Sequence, residues 1–218
     1  LYSVFLRINT GSVQLSPQEL RQALHPGEFS DFIDDVSIQS NSLKSALNLK
    51  QPDFRMRDVE LVLRWFAYQN FAEKYNGQLK DFLDNATQDF NKNWNKVSAL
   101  IIDQAEQFDL SLDATRMIFG VRDELRKWNG KAYEKPINRA VFDIMAYYFA
   151  KKEIREAAII HAADVKKAFE QECDNNRSFL SAIEATTKSI EANKVRFSVW
   201  SRILSRITGL DIISPLRA

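Results

Sequence analysis

Met56-Arg57-Asp58-Val59-Glu60-Leu61-Val62-Leu63-Arg64-Trp65-Phe66-Ala67-Tyr68 is the stretch that decides the fold. Val59, Val62, Leu63, Phe66 and Ala67 recur at helical spacing as one apolar stripe, and Leu61, Trp65 and Tyr68 form a second. A helix that is apolar on two sides is buried on two sides, so this segment is expected at the centre of a helical protein. Asp58 and Glu60, beside Arg55, Arg57 and Arg64, read as a capped, charged helix start, with the acids at the end of the helix that favours negative charge.

The same period extends outward from that segment. Ile137, Val141, Ile144, Met145 and Tyr148, widened by Phe142 and Phe149, predict a second buried helix over 137–150. Only 6 Gly and 5 Pro punctuate the chain. Asn76-Gly77 breaks the chain before a helix over 78–90, Asp113 is a candidate cap for 114–119, and 128–136 reads as a loop. Helices are expected over 164–172, 178–188 and 190–207, the last stopping near Gly209 with Pro215 beyond. The fold class is all-α, a multi-helix bundle spanning 16–218, with a short N-terminal strand and turn over 1–15 that belongs to another lobe.

Composition narrows the function. The 218 residues are 45% hydrophobic, enough to fill a core. Thirty Lys plus Arg against 29 Asp plus Glu leave a net charge of +1, so nucleic acid or an anionic membrane would have to be met by a local patch. The single cysteine, Cys173, excludes an internal disulfide and a multi-cysteine zinc site and fits a cytoplasmic, reducing location. No apolar run approaches the roughly 18 residues that would span a bilayer, so no membrane partner is expected.

The chemistry-bearing residues read mostly as structural. His25 and His161 have no neighbour at metal-ligand spacing, and His25 lies at a helix end where an imidazolium suits the dipole. Glu28, Asp31, Asp34 and Asp35 surround Phe29, Phe32 and Ile33 on one short helix and read as solvated acids rather than a magnesium site. No paired base, Ser/His/Asp set or phosphate-binding Gly-Lys loop occurs, so no catalytic residue and no metal ligand is assigned. The C-terminal stretch carries Lys188, Lys194, Arg196, Arg202, Arg206 and Arg217 against Glu191 and Asp211. Arg202 and Arg206, one turn apart, offset the helix dipole and are also the candidate DNA contacts.

Residues 5 to 21 join a strand-like run, a polar turn at Asn9-Thr10-Gly11 and a capped helix start at Ser16-Pro17-Gln18-Glu19. Ser16 suits the N-cap, Pro17 the first helical position, and Glu19 closes a capping box. Such a turn can present backbone N–H groups to a phosphate, or it can be a plain connection.

The pattern Phe5-x-Arg7-x-Asn9-Thr10-Gly11-x-x-x-Leu15-x-x-x-Glu19-Leu20-Arg21 resembles the signature of "domain of unknown function" family 262, the N-terminal domain of GmrSD-type modification-dependent restriction endonucleases. Residues 56–64, Ile137-Asn138-Arg139-Ala140-Val141-Phe142-Asp143 and Arg196-Phe197-Ser198-Val199-Trp200 resemble later pieces of that family, in order. The family is related to ParB-like nucleotide-binding domains, whose Glu-Asn-x-Gln-Arg-x-x-Leu-Ser-Pro-x-Glu motif matches here at Asn9, Leu15, Ser16, Pro17 and Glu19. The motif departs at Ile8, Gly11 and Ser12. The family's upstream Asp-Gly-Gln-Gln-Arg sequence does not occur, and the chain starts within a strand-like run, so it is expected to be the C-terminal portion of a larger protein that carries the missing N-terminal lobe.

The resemblance implies a prokaryotic DNA restriction or anti-phage defence protein that holds a nucleoside triphosphate with Mg²⁺ when complete. Arg7, Asn9, Thr10, Gly11 and Glu19 are the implied nucleotide-site residues: Asn9 toward phosphate or metal, Thr10 and Gly11 through amides, Arg7 as a charge partner and Glu19 as the capping acid. The alternative is a non-enzymatic helical module that binds a protein or DNA, with the Asn9 turn purely structural.

Overall fold

In the computed structural model of the protein, residues 14–184 and 188–216 are described. Of the strand and turn expected over 1–15, residues 1–13 lie outside them. The described residues hold ten α-helices and no strand, with one isolated antiparallel bridge between Trp128 and Tyr133 in the expected 128–136 loop. The helices are α1 Pro17–Leu24, α2 Glu28–Gln39, α3 Asn41–Leu47, α4 Arg57–Phe71, α5 Leu79–Phe119, α6 Arg139–Phe149, α7 Lys152–Ile160, α8 Ala162–Asn175, α9 Arg177–Glu184 and α10 Ile190–Thr208.

Both apolar stripes of α4 are buried, in a helix that packs against α2, α5 and α6, with Tyr68 also meeting Phe197 of α10. Every residue of α6 is buried except Arg139, which explains why its sequence carries almost no polar face. Asn138 caps α6, its side chain accepting from the N–H groups of Ala140 and Val141 at 2.9 and 3.1 Å. At the other end of the chain α10 stops at Gly209, which is left-handed at φ 73°.

The sequence-based division of 78–119 is corrected. One continuous helix of 41 residues occupies it, about 60 Å of rise that touches α2, α3, α4, α6, α7 and α8. No Gly or Pro interrupts it. Asp113 is therefore not a cap; it sits inside the helix and accepts from the Ser42 hydroxyl at 2.7 Å, tying α3 to α5. Between 91 and 107 only Ile101 is fully buried, while Trp94, Val97 and Ala105 continue the apolar period as half-buried residues against the core until Phe108.

Helix α2 begins without a capping side chain of its own. Asn91 of α5 supplies the cap instead, accepting from the N–H groups of Phe29 and Ser30 at 3.0 and 3.3 Å and donating to the His25 carbonyl at 3.0 Å. Gly27 makes room for this, because a Cβ there would lie 2.4 Å from the Asn91 Oδ1. Gly27→Ala should displace the cap and cost about 1 to 2 kcal/mol, the usual range for losing an N-cap, read as a lower urea midpoint. An unchanged midpoint would mean that Asn91 can shift without losing its bonds.

Candidate functional site

The N-terminal capping box forms as its sequence implies. The Ser16 hydroxyl accepts from the Glu19 N–H at 3.1 Å, and the Glu19 carboxylate accepts from the Ser16 N–H at 2.6 Å. Pro17 takes the first helical position. Arg55 then grips this turn from both sides. Its guanidinium donates to the Gln14 carbonyl and lies 3.4 Å from Glu19 Oε2, while its own carbonyl accepts from the Ser16 hydroxyl at 2.9 Å.

Residues 53–58 hold Arg55 in that pose. Asp53 accepts from the Arg55 N–H at 2.8 Å and from Arg57 Nε at 2.6 Å, and its own N–H donates to Asp58 at 3.0 Å. Met56 adopts the left-handed region at φ 52°, a conformation that costs a side-chain-bearing residue free energy and persists only because the surroundings fix it. Below the turn, α1 is anchored to α5 by Arg21, which pairs with Asp84 at 2.7 Å. Burial works against the Asp84 charge, but hydrogen bonds from Lys80 and Arg21 outweigh it and hold the carboxyl below its usual range.

A second polar assembly lies wholly inside the bundle, where α4, α6 and α10 meet. Arg64 donates twice to Asp143, one bond being 2.9 Å, and Arg196 donates to the same carboxylate at 2.9 Å. Arg196 also donates to Asn193 Oδ1 at 2.6 Å, and the Tyr68 hydroxyl donates to that oxygen at 2.7 Å. Arg64, Asp143 and Arg196 are 5%, 3% and 0% exposed. Burial opposes the Arg64 charge, but the Asp143 carboxylate prevails and keeps the guanidinium more firmly protonated than in water. Burial, reinforced by Asp143, also raises the Tyr68 hydroxyl, so it remains a donor.

Two sequence assignments change here. Arg64, read with the charged helix start, and Arg196, read with the basic C-terminal stretch, are both buried around Asp143, whose carboxylate offsets the cost of taking their charges out of water. Asp143, Asn193 and Arg55 were not singled out as site residues by the sequence. Only the Asn193 spacing to Arg196, three residues on the same helix, offered a local signal.

Among the sequence-derived site residues, Glu19 is half-buried in the capping box, and Arg202 and Arg206 are exposed on α10. Arg7, Asn9, Thr10 and Gly11 lie outside the described residues. Cys173 is buried on α8 and its thiol is pushed up to about 12 by that burial, which leaves it a poor nucleophile. Among the described residues no group of three His, Cys, Asp or Glu side chains could hold a metal ion, and no helix is long and apolar enough to cross a membrane. Comparison with protein families, curated proteins and solved structures finds no match to this chain.

Proposed function

We propose that this chain is the helical part of a ParB-like, GmrSD-like domain of a prokaryotic restriction or anti-phage defence protein. In the complete protein the segment with Arg7, Asn9, Thr10 and Gly11 helps to hold a nucleoside triphosphate and Mg²⁺. The helices support that site and couple its state to the sensing or cutting of DNA. The observation that carries this reading is the braced turn at 14–19. Arg55 holds the Gln14 carbonyl, the Ser16 hydroxyl and the Glu19 carboxylate, so the turn at 14–19 is fixed to the helical body. Glu19 suits the capping role and not that of a metal ligand, since its carboxylate is committed to Ser16 and Arg55.

A second observation supports the same reading. The three later pieces of sequence that resemble the family each contribute one charged residue, Arg64, Asp143 and Arg196, to a single buried assembly. Sequence pieces brought together in this way act as one support for whatever the N-terminal segment holds.

The test is nucleotide affinity in the complete protein, measured by titration calorimetry. Asn9→Ala removes a hydrogen bond to a charged phosphate and should weaken binding about ten- to a hundredfold with the melting temperature nearly unchanged. Arg55→Ala should weaken binding in the same direction by loosening the turn, and Arg55→Lys should restore part of the loss. Unchanged affinity in a folded Asn9→Ala protein would replace this reading with the helical interaction module.

A further inference from the structure

We infer that the groove between α8, α9 and α10 is a sequence-independent surface for the phosphodiester backbone of duplex DNA. Three adjoining depressions form it, and all three are lined by Arg206. Arg177 enters from the start of α9, Lys167 from α8 and Arg202 from one turn before Arg206 on α10. All four cations are exposed, and none has an ion pair with another described residue. Of the two carboxylates on the groove, Asp164 and Glu172, the latter already accepts from the Asn176 amide at 2.8 Å. On a chain whose net charge is only +1, this groove concentrates an excess of positive charge.

Helix electrostatics alone do not account for the arrangement. Arg206 lies in the last turn of α10, where a cation offsets the dipole. Arg177 is the first residue of α9, the end where a cation is unfavourable, so its position costs helix stability that an anionic ligand would recover. Val199, Ile203 and Ile207 form the apolar floor of the lining, and Gln171, Asn175, Asn176 and Ser178 add amide and hydroxyl groups to it. These groups and arginines are the donors that hold DNA phosphates. No Phe, Tyr or Trp lines the groove, so it lacks the stacking platforms on which single strands are bound.

This inference does not rest on the nucleotide reading, and the two fail separately, because Asn9→Ala should leave DNA binding by the groove unchanged. The test is fluorescence anisotropy of a labelled mixed-sequence duplex with the full chain across a salt series. With four cations each releasing a counterion, affinity should fall roughly a hundredfold for a fourfold rise in salt. Replacing Arg202 and Arg206 by Ala should reduce the slope of log affinity against log salt by about 1.8, and Arg177→Ala by about 0.9. These side chains are exposed and contribute to folding only through the helix dipoles, so circular dichroism should be unaltered and the melting temperature should move only slightly. Lys92→Ala with Lys96→Ala, the same charge removed from the exposed middle of α5, should leave the slope as it was. Absence of salt-dependent binding, an equal loss in the α5 control, or tighter binding of a single strand would overturn the inference.

Discussion

Asp143→Ala should destabilise the protein by about 3 to 5 kcal/mol, the range for removing one partner of a buried ion pair. The reason lies in what is left behind. Arg64 and Arg196 both donate to this carboxylate from positions almost without solvent contact, and without it two guanidiniums would remain in the core beside one another. Urea denaturation with an unchanged m-value would report the loss as a lower midpoint. Replacing all three residues with apolar side chains of similar volume should recover much of the loss, because the desolvation penalty disappears with the charges. A cost under about 1 kcal/mol for Asp143→Ala would show that the assembly does not depend on the carboxylate.

The same assembly marks where the sequence stopped being legible. The apolar helices α4 and α6 could be read because burial on two sides leaves two apolar stripes in α4 and a nearly continuous apolar run in α6. The capping box at Ser16 could be read because its partners are three residues apart and both of its bonds are local. Arg64 read as part of a charged helix start and Arg196 as one of a basic stretch because the residue that buries them is 79 positions away from the first and 53 from the second. Pattern along one helix carries no trace of such a partner.

Helix α5 shows the opposite failure. Its two ends are buried, whereas between 91 and 107 Trp94, Val97 and Ala105 are only half-buried among many polar residues, so a single helix presents two strong apolar patches and reads as separate elements. Helix α7 was not anticipated at all, since Lys151 and His161 bound it without Gly or Pro. The groove arginines were half legible: Arg202 and Arg206 share a helix, whereas Arg177 and Lys167 reach the same surface only through the packing of α8 and α9 against α10.

Trp65→Ala should be the most damaging single change in the apolar core, on the order of 3 to 5 kcal/mol. The indole is 3% exposed at the junction of α4, α5 and α6. Its ring meets Phe66 at 4.8 Å and Phe108 at 5.4 Å between centroids, both edge-on, and Nε1 donates to the Ala146 carbonyl at 3.0 Å. Truncation would therefore open a cavity between helices that are far apart in sequence and remove a buried hydrogen bond as well. Trp65→Phe separates the two effects: it keeps most of the volume and loses the bond, and should cost about 1 to 3 kcal/mol from the unsatisfied carbonyl. If Trp65→Ala and Trp65→Phe cost the same, cavity formation contributes nothing, and the aromatic contact between α4 and α5 is not what holds the bundle's centre together.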